Sequence, residues 1–229
     1  SIREYICNFI MSTLETNLIQ PATGTSLTLG ASGDTITIPS GATLTNSGTA
    51  TGFGSLVKLA ATTVSSNVAN VDFTSQFTST YDVYKIIIQG VRPDTDNNAI
   101  GMRLGTGSSF DTASNYERVL IASGLSNAND TVDSRASTID GASFNVMSSQ
   151  SSAAETSTNV EITFYNMRDS AKNTYFTLLG AFEGADDEFR MLVGAYNYNQ
   201  TNTRDSVRFY NTSGNNLATG TFTVYGVIT

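Results

Sequence analysis

From Ser55 to the C-terminus apolar side chains recur at every second position, and that period commits the chain to sheets. Val57, Leu59 and Ala61 alternate with Lys58; Tyr84, Ile86 and Ile88 alternate with Lys85 and Gln89; Ile100, Met102 and Leu104 alternate with Gly101 and Arg103. The pattern returns in Val160, Ile162 and Phe164, in Phe176, Leu178 and Phe182, in Val207 and Phe209, and in Phe222, Val224 and Ile228. Successive side chains of a strand point to opposite faces, so each run has one dry face. Runs near 56, 69, 84, 100, 118, 144, 160, 176, 190, 207 and 222 give about eleven strands over about 175 residues, the density of an antiparallel β-sandwich, jelly-roll-like. No helix of ordinary length fits between them. The connections 92–98, 124–134 and 148–159 are polar and rich in turn formers, and are expected to be surface loops.

The text between Pro21 and Gly54 is different. Its only sizeable aliphatics are Leu27, Leu29, Ile36, Ile38 and Leu44, set among Gly, Ser and Thr. That is too little apolar surface to order one chain, whereas identical chains wound around a common axis would merge thin stripes into a continuous core. The i, i+2 pairs punctuated by Gly favour short strands. Fully extended, the segment would reach on the order of 110 Å, and it reads as an intertwined β stalk of a homotrimer. Ahead of it, Ile2, Tyr5, Ile6, Phe9, Ile10 and Leu14 fall at spacings of three and four, the stripe of a short amphipathic helix. Such a helix is marginal alone and needs sister copies or a groove on another protein. The same residues also read as a frayed terminus, or as text ahead of a start at Met11.

Composition removes several chemistries. A net charge of -8 without a basic cluster does not suit a phosphate backbone, so nucleic acid is not an expected partner. No apolar run approaches the roughly 18 residues of a membrane-spanning helix, and residues 1–10 lack a signal-peptide pattern, so neither membrane insertion nor Sec export is expected. The single cysteine, Cys7, has no partner for an intrachain disulfide, which fits assembly in a reducing cytoplasm. The absence of histidine excludes a Ser-His-Asp hydrolase and the commonest nitrogen ligand for metals. Neither a phosphate loop nor a dinucleotide fingerprint is present. No enzyme, cofactor or metal is expected.

Two acidic stretches could still matter. Glu183, Asp186, Asp187 and Glu188 fall in the turn of an expected hairpin and offer carboxylates of the kind glycosidases pair, although a hydrated acidic turn is the simpler reading. Asp94, Asp96, Asn97 and Asn98 have oxygens that could hold calcium but lack the EF-hand spacing. Tyr196 and Tyr198, two apart on one strand face, with Asn199 and Arg204 nearby, have the composition of a surface glycan or partner contact. Packing is the competing role for each ring.

The stretch from Met11 to Gly54, with its Gly-Asp-Thr-Ile-Thr-Ile-Pro-Ser-Gly block at 33–41 and the Gly-Thr-Ala-Thr-Gly-Phe-Gly at 48–54, resembles the opening of tail-fibre and other virion appendage proteins of marine bacteriophages. The ending Gly-Thr-Phe-Thr-Val-Tyr-Gly-Val-Ile-Thr at 220–229 looks like the heads of phage fibres in pattern. The resemblance implies an architecture and transfers no binding site. It predicts a partly helical anchor over 1–20 that docks on tail or capsid proteins, a stalk over 21–54, and a head over 55–229 that contacts the host surface, such as a glycan, the whole being part of the virion. A capsid decoration or head-fibre protein needs the same parts. A polysaccharide-degrading tailspike and a free carbohydrate-binding module are the readings from other classes.

Overall fold

The computed structural model describes residues 18–45, 55–125, 131–137, 143–186 and 188–228. The anchor residues Ile2, Tyr5, Ile6, Phe9 and Ile10, with the rest of the expected helix up to 17, lie outside them. The chain divides into two compact units, Ser1–Ala50 and Thr51–Thr229.

In the first unit, residues 18–45 form no strand. Two turns are closed locally, by Asp34 N–H on the Ala31 carbonyl at 3.0 Å and by Ala42 N–H on the Pro39 carbonyl at 3.1 Å. The five aliphatics Leu27, Leu29, Ile36, Ile38 and Leu44 are between 46% and 61% exposed. The short strands expected here are not formed, and the reason is physical: a strand is a pairing, and one copy of this ribbon offers itself no second edge.

The second unit is a β-sandwich-like fold, with thirteen antiparallel strands among the described residues. In chain order they are β1 Leu56–Val64, β2 Asn70–Phe73, β3 Val83–Pro93, β4 Asn98–Thr106, β5 Ser109–Phe110, β6 Tyr116–Leu125, β7 Thr131–Ser137, β8 Phe144–Gln150, β9 Thr158–Tyr165, β10 Thr174–Glu183, β11 Phe189–Tyr198, β12 Ser206–Asn211 and β13 Leu217–Val227. The larger sheet runs β1-β13-β3-β9-β10-β11-β6-β7, and the smaller runs β2-β12-β4-β5. β8 shares an edge of β4 with β5: β8 lies along Asn98–Met102, and β5 along Gly105 and Thr106.

The core lies where the period-two runs put it. Tyr84, Ile86 and Ile88 of β3, Ile162 and Phe164 of β9 and Phe176 and Leu178 of β10 join Ile100, Met102 and Leu104 of β4, Phe144 and Val146 of β8 and Val207 and Phe209 of β12 in one buried cluster. Each such side chain adds roughly 1.5–3 kcal/mol by leaving water. Some expectations need correction. The polar stretch 124–134 is not simply a loop, because Thr131–Ser134 opens β7 and pairs with β6; its alternation is hidden by small polar residues. At the ends of 92–98 and 148–159, Asn98, Gln150, Ser151, Thr156 and Thr158 are buried; Asn98 donates to the Thr95 and Asp96 carbonyls at 2.8 and 2.9 Å and Thr156 to the Ala153 carbonyl at 2.9 Å, as buried polar groups usually do, whereas the Gln150 side-chain amide has no partner among the described residues. Ala61 faces solvent because a bulge between Lys58 and Ala60 shifts the β1 register on β13, and one slipped residue exchanges the faces. Ile228 lies past the end of β13 and is exposed.

Gly220 marks another register break, between β13 and β3. Its φ of +138° suits glycine alone, and a Cβ there would stand 2.9 Å from the Val91 Cα. Gly220→Ala is expected to cost about 1–3 kcal/mol, the usual cost of forcing a side chain into such a backbone region, read as a lowered thermal midpoint by circular dichroism. An unchanged midpoint would mean that β3 yields at Val91.

Candidate functional site

The two acidic stretches, far apart in sequence, meet. The end of β8 holds them: Asn97 N–H donates to the Gln150 carbonyl at 2.9 Å, Gln150 bridges Gly184, and Ser151 N–H donates to the Glu183 carbonyl at 3.1 Å. Asp96 and Asn97 from the β3–β4 turn thereby line, with Ala185 and Asp186 from the β10–β11 turn, a cleft of about 380 Å³. Its carboxylates are already engaged. Asp96 Oδ1 accepts the Ser152 N–H at 3.0 Å, Arg190 donates to Asp186, and Arg190 also reaches Glu188 at 3.4 Å. Asp94 sits behind the turn as a staple, accepting the N–H and side-chain amide of Asn216 at 3.1 and 2.9 Å. Asp187 lies outside the described residues. Among the described residues no three His, Cys, Asp or Glu side chains gather as a metal-binding group.

The Asn216 amide holds the Asp94 carboxyl below its ordinary value.

The tyrosine stripe belongs to the interior. Tyr196 and Tyr198 are 3% and 0% exposed, on the β11 face that packs against the smaller sheet. Tyr196 stacks on Phe176 with ring centroids 4.6 Å apart and meets Phe144 at 5.3 Å. Packing won because β11 alternates Leu192, Gly194, Tyr196 and Tyr198 inward, leaving Met191, Val193 and Ala195 outward. Neither ring is open to a surface glycan. Asn199 is exposed, but it works as a clamp: Asn197 and Asn199 donate to the two oxygens of Glu117 at 2.7 and 3.1 Å.

Around Tyr198 the structure brings together groups that sequence reading left scattered. The Tyr198 hydroxyl donates to Asp111, and Arg204 donates to the Tyr198 oxygen. The Arg204 guanidinium lies 4.8 Å from the Tyr198 ring centre and 3.7 Å from the Asp111 carboxylate. Tyr116 donates to the Asp111 carbonyl at 2.9 Å. Burial, with the neighbouring Asp111, pushes the Tyr198 phenol up to about 12, so it stays a donor at ordinary pH. This cluster ties β6, β11 and the segment before β12 together, and within it the Arg204 Nε is buried without a hydrogen-bond partner.

No protein-family model, curated protein or solved structure matches this chain.

What sequence reading missed is the outer face of the larger sheet. Val119 and Ile121 of β6, Leu179 of β10, and Phe189, Met191 and Val193 of β11 are large, apolar and exposed. The signal was in the text. Leu178–Leu179 and Met191–Leu192–Val193 are unbroken apolar runs, and a strand apolar at successive positions has both faces destined for cover.

Proposed function

We propose that the chain is a structural protein of a bacteriophage particle, a homotrimeric tail-fibre-type appendage in which an N-terminal anchor docks on other virion proteins, a threaded stalk spans outward, and a β-sandwich head takes part in host surface recognition or attachment. The observation that carries this reading is the stalk: every sizeable aliphatic between Pro21 and Leu44 is left in water by a single copy, in a ribbon without a strand of its own. Sister copies supply the missing edges and the missing core together.

The strand order supports the jelly-roll-like character of the head. β1-β13-β3-β9 in one sheet and β2-β12-β4-β8 in the other is the order that two interleaved Greek keys produce, with β5 to β7 and β10 to β11 inserted. Sedimentation of the full-length chain is expected to give three times the 24.3 kDa protomer mass. A protomer at micromolar concentration would overturn the reading.

A capsid decoration or head-fibre protein would share anchor, stalk and head, and labelled antibody on purified particles separates tail from capsid. A polysaccharide-degrading tailspike draws on one observation, the meeting of Asp96 and Asp186 at one cleft. Because Arg190 occupies Asp186, incubation with host-surface polysaccharide is expected to leave polymer length unchanged.

A further inference from the structure

The geometry points to the outer face of β9, β10, β11 and β6 as the surface on which one copy of the head meets another. This rests on the trimer reading and names the surface that would serve it. Cross-strand rows run Thr163, Thr177, Ala195 and Val119, then Glu161, Leu179, Val193 and Ile121, then Asn159, Ala181 and Met191. Over β10, β11 and β6 these rows carry no charge, and Val119, Ile121, Leu179, Phe189, Met191 and Val193 are between 40% and 61% exposed. The polar groups stand at the rim: Glu161, which pairs with Lys85 at 2.6 Å, Glu117 in its asparagine clamp, and Tyr165 opposite Tyr175. An apolar centre inside a polar rim is the anatomy of a subunit interface.

Four strands at about 4.8 Å spacing and the three rows, about 6.8 Å apart, give a projected face of roughly 400 Å². That is the size of the largest patch a monomer leaves uncovered, and such patches are often functional.

Chemistry decides the occupant. A glycan is held by clustered donors and acceptors, and over β10, β11 and β6 the hydroxyl of Thr177 stands among Leu179, Ala181, Met191, Val193, Ala195, Val119 and Ile121, too sparse a polar lining for one. An anionic membrane surface needs Lys or Arg, and the rim is acidic. The chain carries a net charge of -8, so most approaches between copies are repelled, and a neutral face is where that repulsion is least. The stalk independently requires sister copies. One occupant, the same chain, answers both. Three such faces turned toward a common axis each cover the other two.

Met191 is a natural reporter. It is 43% exposed in one protomer, whereas Met102, Met147 and Met167 are at most 1% exposed. The full-length chain is to be treated with dilute hydrogen peroxide and its methionine sulfoxides mapped by peptide mass spectrometry, with molecular mass measured by sedimentation on the same sample. The expected result is a threefold protomer mass with Met191 reacting as slowly as Met102. In Leu179→Glu, with the sandwich still folded by circular dichroism, Met191 becomes reactive. A trimer with freely reactive native Met191 overturns this surface and leaves the stalk's association standing; a protomer mass overturns both. Met191 still protected in Leu179→Glu would assign its cover to its own protomer and also overturn the proposal.

Discussion

Phe176→Ala is expected to destabilise the head by about 3–5 kcal/mol, with a fall in the thermal midpoint on the order of 10 °C for a domain of this size. Phe176 is 1% exposed and sits between the two sheets. Phe144 of the smaller sheet meets it edge-on at 4.4 Å, Tyr196 stacks at 4.6 Å with planes 7° apart, and Phe164 lies at 5.1 Å. Removing the ring deletes its transfer free energy, strips three aromatic neighbours of a partner worth about 0.5–1.5 kcal/mol each, and opens a cavity between stiff sheets that cannot close on it. Leu179→Ala on the outer face of the same strand is the contrast, since a monomeric head loses little from it. Urea unfolding of the two variants separates these effects, and a Phe176→Ala cost below about 1 kcal/mol would mean that the aromatic cluster repacks.

The sandwich was legible in the sequence because its core strands obey a strict alternation. Ile100, Met102 and Leu104, or Ile162 with Phe164, can be buried together only in a strand. Elements were missed where that signal fades: β5 is two residues long, and the β7 sequence TVDSRAS has Val132 as its single sizeable apolar residue. Strand order was beyond local reading, since β1 against β13 and β2 against β12 are pairings of chain ends that no local pattern encodes. The site was read least well. Tyr196 and Tyr198 look like a surface stripe only if the face of β11 is assigned wrongly, and the neighbouring Met191, Leu192 and Val193 are apolar on both faces, so alternation alone cannot choose. The choice is made by Gly194: a Cβ there would lie 2.6 Å from the Tyr196 ring, so the inward tyrosine lies across a position kept empty for it. Likewise the meeting of Asp96 with Asp186 depends on β8 bridging two turns, a tertiary fact.

Arg204→Met is expected to cost about 3 kcal/mol, near the low end for breaking a buried ion pair because a little water still reaches it. The Arg204 and Asp111 side chains are 13% and 15% exposed, and the methionine would leave the carboxylate facing the Tyr198 ring without its cation. The pH dependence carries the more specific test. Burial alone would raise the Asp111 carboxyl, but hydrogen bonds from Tyr198, from the Ala113 N–H and from Asn115, with the charge of Arg204, outweigh it and hold the group below 3.8. A group lowered by folding releases its proton more readily in the native state, so its stabilisation is fully present above the unfolded value near 4 and disappears as pH falls through the lower folded value. Asp111→Asn should therefore be less stable than the native chain at pH 7, while the gap between their urea midpoints narrows from pH 4 downward. A gap that stays constant from pH 7 to pH 2 would show that Asp111 supplies shape alone to the joint between β6, β11 and β12, and that its charge does no work there.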